Sequence, residues 1–170
     1  MNNEILVMAN GILEELYKFS DDMVYLGPAV SDNSLLRFET QIGFSLPEDF
    51  RFIISKHNGI SLAGIAVCGL DKALQGSSLD EIYKFEHEGA GSKMPNSFLP
   101  FSPDGAGNHY CLDLSTLVDG RCNVVFWQHD QQYENTDQVE VCNNNFCDWL
   151  QEVMIGWTLE DYNFNGSTRE

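Results

Sequence analysis

Three side chains able to do chemistry alternate along one short run: His109, Cys111 and Asp113. In an extended strand alternate residues share a face, so imidazole, thiol and carboxylate would look the same way. Two chemistries use such a set, zinc ligation and a thiol nucleophile with its base. The spacing argues against both. Residues two apart on a flat strand sit roughly 7 Å from one another, too far for three of them to hold one small ion unaided. A nucleophile and its base also need hydrogen-bond reach, which that geometry rarely gives. The simpler expectation is a sheet face of mixed polarity, or an interaction surface.

Other candidates are more isolated. His129 precedes Asp130, and His87 stands between Glu86 and Glu88. Either imidazole could act as a base, but neither has a partner that the sequence places, and a solvated histidine beside acids is the expectation for both. Asp104 opens the run DGAGN at residues 104–108. With Asn108 or Asp113 it could hold a cation. An aspartate there more simply bonds its own backbone two residues on, with Gly105 and Gly107 supplying the turn. The glycines lead into a strand and not into a helix, so no phosphate cradle forms.

These residues need elements to position them. Apolar residues at Ile5, Met8, Ile12, Leu13 and Leu16 carry the helical period over residues 4–19, weakened slightly by Gly11. Residues 20–30 read as a connecting loop. Ser31 then caps a second helix with Leu35, Phe38 and Ile42 on one face and Gly43 at its end. Pro47 at a first helical position, followed by Glu48 and Asp49, starts a third helix that buries Phe50, Ile53 and Ile54 and stops at Asn58-Gly59. Residues 60–70 are apolar and β-branched, broken by Gly64 and Gly69, and read as one or two strands. Residues 78–88 form an amphipathic helix with Leu79, Ile82, Tyr83 and Phe85 inward.

Strands over residues 98–101 and 109–114 flank the glycine turn, and the apolar run 123–128 suits a central strand. Residues 131–137 are a polar loop and 138–142 a short strand. Asn143 or Asn144 caps a last helix with Phe146, Trp149, Leu150 and Val153 inward. Trp127 and Trp149 belong to the core; Trp157 suits core packing better than an exposed anchor. The tail beyond it is peripheral, with residues 165–170 frayed. Helices, an antiparallel meander and a closing helix argue for α+β, with helices packed around an antiparallel β-sheet.

Charge narrows the partners. The 170 residues carry 26 acids and 9 bases, net −17. Residues 94–168 hold 11 acids and one base, Arg121, hence −10. Such a field repels nucleic acid and anionic membrane and steers a cationic partner inward; it also serves plain solubility. Five cysteines, none in a CxxC pair, sit mostly in apolar runs and read as reduced. The first residues lack a basic stretch and no run is long enough to span a bilayer, so a soluble, intracellular chain of one domain, 1–170, is expected.

The order of certain words resembles the SUKH superfamily, the Smi/Knr-like proteins. The words are Leu46-Pro47-Glu48-Asp49-Phe50, Asn58-Gly59, Phe98-Leu99-Pro100-Phe101 with Asp104-Gly105, Tyr110-Cys111-Leu112-Asp113-Leu114, residues 124–127 with His129, and residues 146–150. The likeness covers about residues 31–155. It implies an α+β domain that is not catalytic and needs no cofactor or metal. Most members are bacterial immunity proteins that bind and neutralise a toxin domain, often a nuclease; others are interaction modules in regulatory proteins. Here Gly105-Ala106-Gly107 is followed by Asn108, where many relatives place an acid.

Under that resemblance the acidity suits a cytoplasmic inhibitor of a toxin whose phosphate-binding surface is basic. The acids expected to face it are Asp104, Asp130, Glu134 and Asp137, with Glu86 and Glu88 beside them. A scaffold of the same fold without a toxin partner is the alternative, and a homodimer through a sheet edge is open.

Overall fold

The computed structural model describes residues 2–71 and 78–170. Helix α1 (Asn3–Leu16) is capped by the Asn2 side chain and lays Ile5, Ala9, Ile12, Leu13 and Leu16 into the core. Strand β1 (Val24–Leu26) follows, inside the stretch expected to be loop. Three residues are too few to show a period, and Asp21, Asp22, Gly27 and Pro28 hide them; tertiary pairing makes the strand. Helix α2 (Asp32–Ile42) is capped by Ser31 and ends at Gly43, whose φ of 76° is left-handed. Pro47 immediately precedes helix α3 (Glu48–Lys56) and does not begin it, a one-residue difference at a helix end.

Strands β2 (Ile60–Leu62) and β3 (Ile65–Val67) form a hairpin whose turn residues, Ala63 and Gly64, both take positive φ, the geometry that matches strand twist. β1, β2 and β3 make a three-stranded antiparallel sheet in that order. Helix α4 (Leu79–Lys84) passes into a π-helical turn (Phe85–Gly89). Four antiparallel strands then form the second sheet in chain order: β4 (Phe98–Pro103), β5 (His109–Asp113), β6 (Val124–Trp127) and β7 (Glu140–Asn143). The Cys68 N–H donates to the Phe101 carbonyl and ties the two sheets.

Helix α5 (Phe146–Trp149) continues through a π-helical stretch (Leu150–Gly156) into α6 (Trp157–Asp161). Its cap is Asn145, not Asn143 or Asn144: the Asn145 carboxamide oxygen accepts from the Asp148 N–H at 2.8 Å. The tail differs from expectation as well. Tyr162 bridges Thr168, the Ser20 N–H donates to the Phe164 carbonyl at 2.8 Å, and the Phe164 ring lies 4.7 Å from Phe19.

One face of the four-stranded sheet buries Leu99, Phe101, Leu112 and Val124 with the α1, α3 and α5 faces. Phe101 meets Trp149 edge-on at 4.8 Å, and Phe50 meets Phe146 at 4.8 Å, the geometry favoured by ring quadrupoles. The opposite face carries a smaller cluster of Met94, Phe98, Cys111, Val125, Trp127 and Val139.

Candidate protein-binding end of the sheet

Antiparallel order decides which loops meet. The β4–β5 turn (104–108) and the β6–β7 connection (128–139) leave the sheet at the same end, whereas the β5–β6 connection leaves at the other. A side-chain bond fastens the two loops. The Asn108 carboxamide oxygen accepts from the His129 N–H at 3.2 Å and lies 3.0 Å from His129 Nδ1. A Cβ at Gly107, where φ is 94°, would sit 3.0 Å from that ring nitrogen, so glycine lets the imidazole close on the turn. His129 is therefore exposed but tethered.

Asp104 builds the turn as expected. Its Oδ1 accepts from the Ala106 N–H at 2.7 Å and the Asn108 N–H at 3.0 Å, and its Oδ2 from the Asn108 amide at 2.7 Å. Partial burial pushes this carboxyl up, but those three bonds, helped by His109, outweigh it and hold the group below the usual carboxylate range. A depressed folded value means that the stabilisation is present above the unfolded carboxyl range and lost as pH falls through the folded value. Asp104→Ala is expected to speed exchange of the Asn108 amide about tenfold at neutral pH; unchanged exchange would show that the turn stands without the carboxylate.

In the longer loop the Tyr133 ring packs 4.8 Å from Trp127, the Asn135 side chain accepts from the Asp137 N–H, and Val139 is buried. This leaves Asp130, Glu134 and Asp137 exposed at the rim with Asp104. Arg121, the one base of residues 94–168, lies between β5 and β6 at the other end, 3.4 Å from Glu4.

Glu86 departs from its expected role. It is buried, and its Oε1 lies 3.0 Å from His109 Nε2, also buried. A partner therefore cannot reach it, while its neighbour Glu88 is exposed. The period explains the reversal: from Leu79 and Ile82 the inward helical stripe runs on to position 86, so Glu86 turns in and Phe85, expected inward, is 60% exposed. Pairing with His109 offsets the cost of sinking a carboxylate. His87 is not freely solvated either: its ring nitrogens face the Tyr83 carbonyl at 2.6 Å and the Pro95 carbonyl at 2.9 Å.

His109, Cys111 and Asp113 share a strand face but not a task. His109 turns to Glu86. Cys111 Sγ lies 3.8 Å from Met94 Sδ in the smaller cluster. Asp113 folds back to accept from the Ser115 N–H and hydroxyl, at 3.1 and 2.6 Å. Among the described residues no three His, Cys, Asp or Glu side chains gather as a metal site. Burial, then the charges of Glu86 and Asp113, pushes the Cys111 thiol well up; burial lifts Cys68 to about 12. Thiols so held are poor nucleophiles.

Two features escape the sequence reading. Phe85 stands out of the surface beside Glu88. Trp157 is 50% exposed instead of joining the core, and it flanks a groove shared with Tyr110, Phe126 and Val141. The signal for Phe85 is its place off the Leu79–Ile82 stripe; for Trp157 no local signal exists.

Among the described residues no helix is long and apolar enough to cross a membrane. The family model described as SMI1 / KNR4 family (SUKH-1) matches residues 29–152. No curated protein matches the chain.

Proposed function

The chain belongs to the SMI1 / KNR4 family (SUKH-1), and we propose that it is a one-domain, non-catalytic immunity protein that binds a cognate toxin domain and neutralises it in the cytoplasm. The observation that carries this reading is the grouping of Asp104, Asp130, Glu134 and Asp137, all exposed, on two bonded loops at one end of the four-stranded sheet. Glu88, exposed beside Lys84 and the exposed ring of Phe85, is a further acidic contact in this reading, with Phe85 as its apolar anchor. Charge of one sign on an ordered rim raises the association rate with a basic protein, while a nearby aromatic slows dissociation. A nuclease domain is the toxin this surface suits, because phosphate binding demands a cationic face. Burial raises the thiols of Cys68, Cys111, Cys122 and Cys147 and makes them poor nucleophiles, which supports a binding role over thiol chemistry.

The test uses the chain as bait in its native source at low and high salt, followed by kinetics on the partner it recovers. Reversing Asp130, Glu134 and Asp137 to lysine is expected to lower the association rate at least about tenfold at low salt and to flatten its salt dependence. Unchanged kinetics would overturn the acidic-rim reading. A regulatory scaffold of the same fold is the second reading, favoured if no toxin gene neighbours this one and the recovered partner is not a toxin.

A further inference from the structure

We infer that the groove between β7 and the C-terminal helix receives an extended, lysine- or arginine-bearing segment of the partner, which adds to the sheet along β7. This inference rests on the proposed binding role and assigns that role a second contact.

Three observations converge on it. First, β7 is the last strand of its sheet, pairing with β6 on one side and with no strand on the other among the described residues. The opposite edge is not equivalent, because β4 is tied to the first sheet through Cys68 and Phe101. A free edge presents backbone groups that another chain can pair with.

Second, beside that edge lies a groove of about 450 Å3 with the rings of Tyr110, Phe126 and Trp157 among its lining. Trp157 and Val141 are 50% and 54% exposed, so aromatic and aliphatic surface is already available there. Third, the charge is one-sided: among the described residues Glu140 and Glu152 line the same groove and no lysine or arginine does. Aromatic faces with carboxylates at the margin are what an ammonium or guanidinium group on an apolar stem requires.

The groove continues the acidic end. Tyr110 follows His109 at the start of β5, and Glu140 pairs with Phe126. Burial raises the Tyr110 hydroxyl first, and the charges of Cys142, then Glu140, then Asp104 raise it further. One cationic partner can therefore meet rim and groove together. A second copy of this chain fits poorly, since it would bring Glu140 and Glu152 against a chain of the same −17 charge.

The probe is a blocked octapeptide of alternating lysine and threonine, with a glutamate–threonine octapeptide as its counterpart, titrated into the full chain and followed by NMR. The lysine peptide is expected to shift the Trp157 indole and the amides of residues 140–143 saturably and to slow exchange along β7, while the glutamate peptide does neither. Trp157→Ala, a surface change, is expected to weaken the lysine peptide about fivefold or more, and Glu140→Lys to abolish the β7 shifts. Shifts confined to residues 104–108 and 129–138 would overturn the groove and leave the acidic rim standing. Binding in the groove, with partner kinetics indifferent to reversal of the rim acids, would overturn the rim and leave the groove. Absence of binding, equal binding of the glutamate peptide, or concentration-dependent protection of β7 without peptide would each overturn the inference, the last in favour of a second copy.

Discussion

Gly27→Ala is expected to lower the unfolding free energy by about 3 kcal/mol or more, read as a fall in the urea midpoint at unchanged slope. A Cβ at this position would lie 2.1 Å from the Asn58 carbonyl oxygen and 2.7 Å from its carbon. Backbone cannot step aside as a side chain can. Asn58 is held from both flanks: its N–H donates to the Pro28 carbonyl at 2.8 Å, and a Cβ at Gly69 would stand 2.6 Å from its carbonyl carbon. Its side chain closes the seam, accepting from the Leu70 N–H at 2.6 Å and donating to the Leu70 carbonyl at 2.7 Å. Three chain segments thus converge on one residue: the exit of β1, the corner between α3 and β2, and the exit of β3. Gly11→Ala is the matched control. No atom lies within 4 Å of its added Cβ, and the site is exposed on α1, so that change is expected to stabilise by about 0.5–1 kcal/mol. A loss below about 0.5 kcal/mol at Gly27 would mean that the seam is not tight.

Asp49→Ala is expected to cost about 3 kcal/mol. This carboxylate is fully buried, with Oδ1 accepting from the Phe50 N–H at 2.8 Å. Its Oδ2 accepts from the Phe146 and Cys147 N–H groups at 3.0 and 3.3 Å. It belongs to α3 yet caps α5, almost a hundred residues on. Asp49→Asn is no rescue, because one end of the amide would turn N–H against N–H. Burial pushes the carboxyl up; the three backbone bonds and Arg121 oppose that and do not cancel it. The pH dependence has the opposite sign to that of Asp104. A raised folded value means that the folded state holds more protons across the window between the unfolded and folded values. The contribution of Asp49 therefore falls as pH rises through that window and is level above it. Unfolding curves from pH 3 to 8 should show that slope in the natural chain and its absence in Asp49→Asn; a slope shared by both would assign it elsewhere.

The helical stripes of α1, α2 and α3, the hairpin around the glycine turn, and the buried Trp127 and Trp149 were all legible, since each rests on a local period or a local turn. So was the Asx turn at Asp104, whose partners lie within four residues. β1 was not, because three residues carry no period and its partner lies across α2 and α3. Glu86 was legible in part: the stripe from Leu79 through Ile82 points to it, but a carboxylate enters a core only when a partner waits there, and His109 stands 23 positions away.

What the sequence determined by itself was the class of fold, the family resemblance that the match over residues 29–152 bears out, and the sign of the charge. These follow from side-chain type and near-neighbour spacing. Only the tertiary structure decided which acids share a surface. Asp104 and the 130–137 acids come together because antiparallel pairing folds two loops onto one end; Glu86 leaves them because its helix turns it inward. Only the tertiary structure, too, set Trp157 at a groove beside a free strand edge and Asp49 beneath a distant helix. Periodicity reports which way a residue faces on its own element, whereas what it faces depends on contacts between segments far apart in the chain.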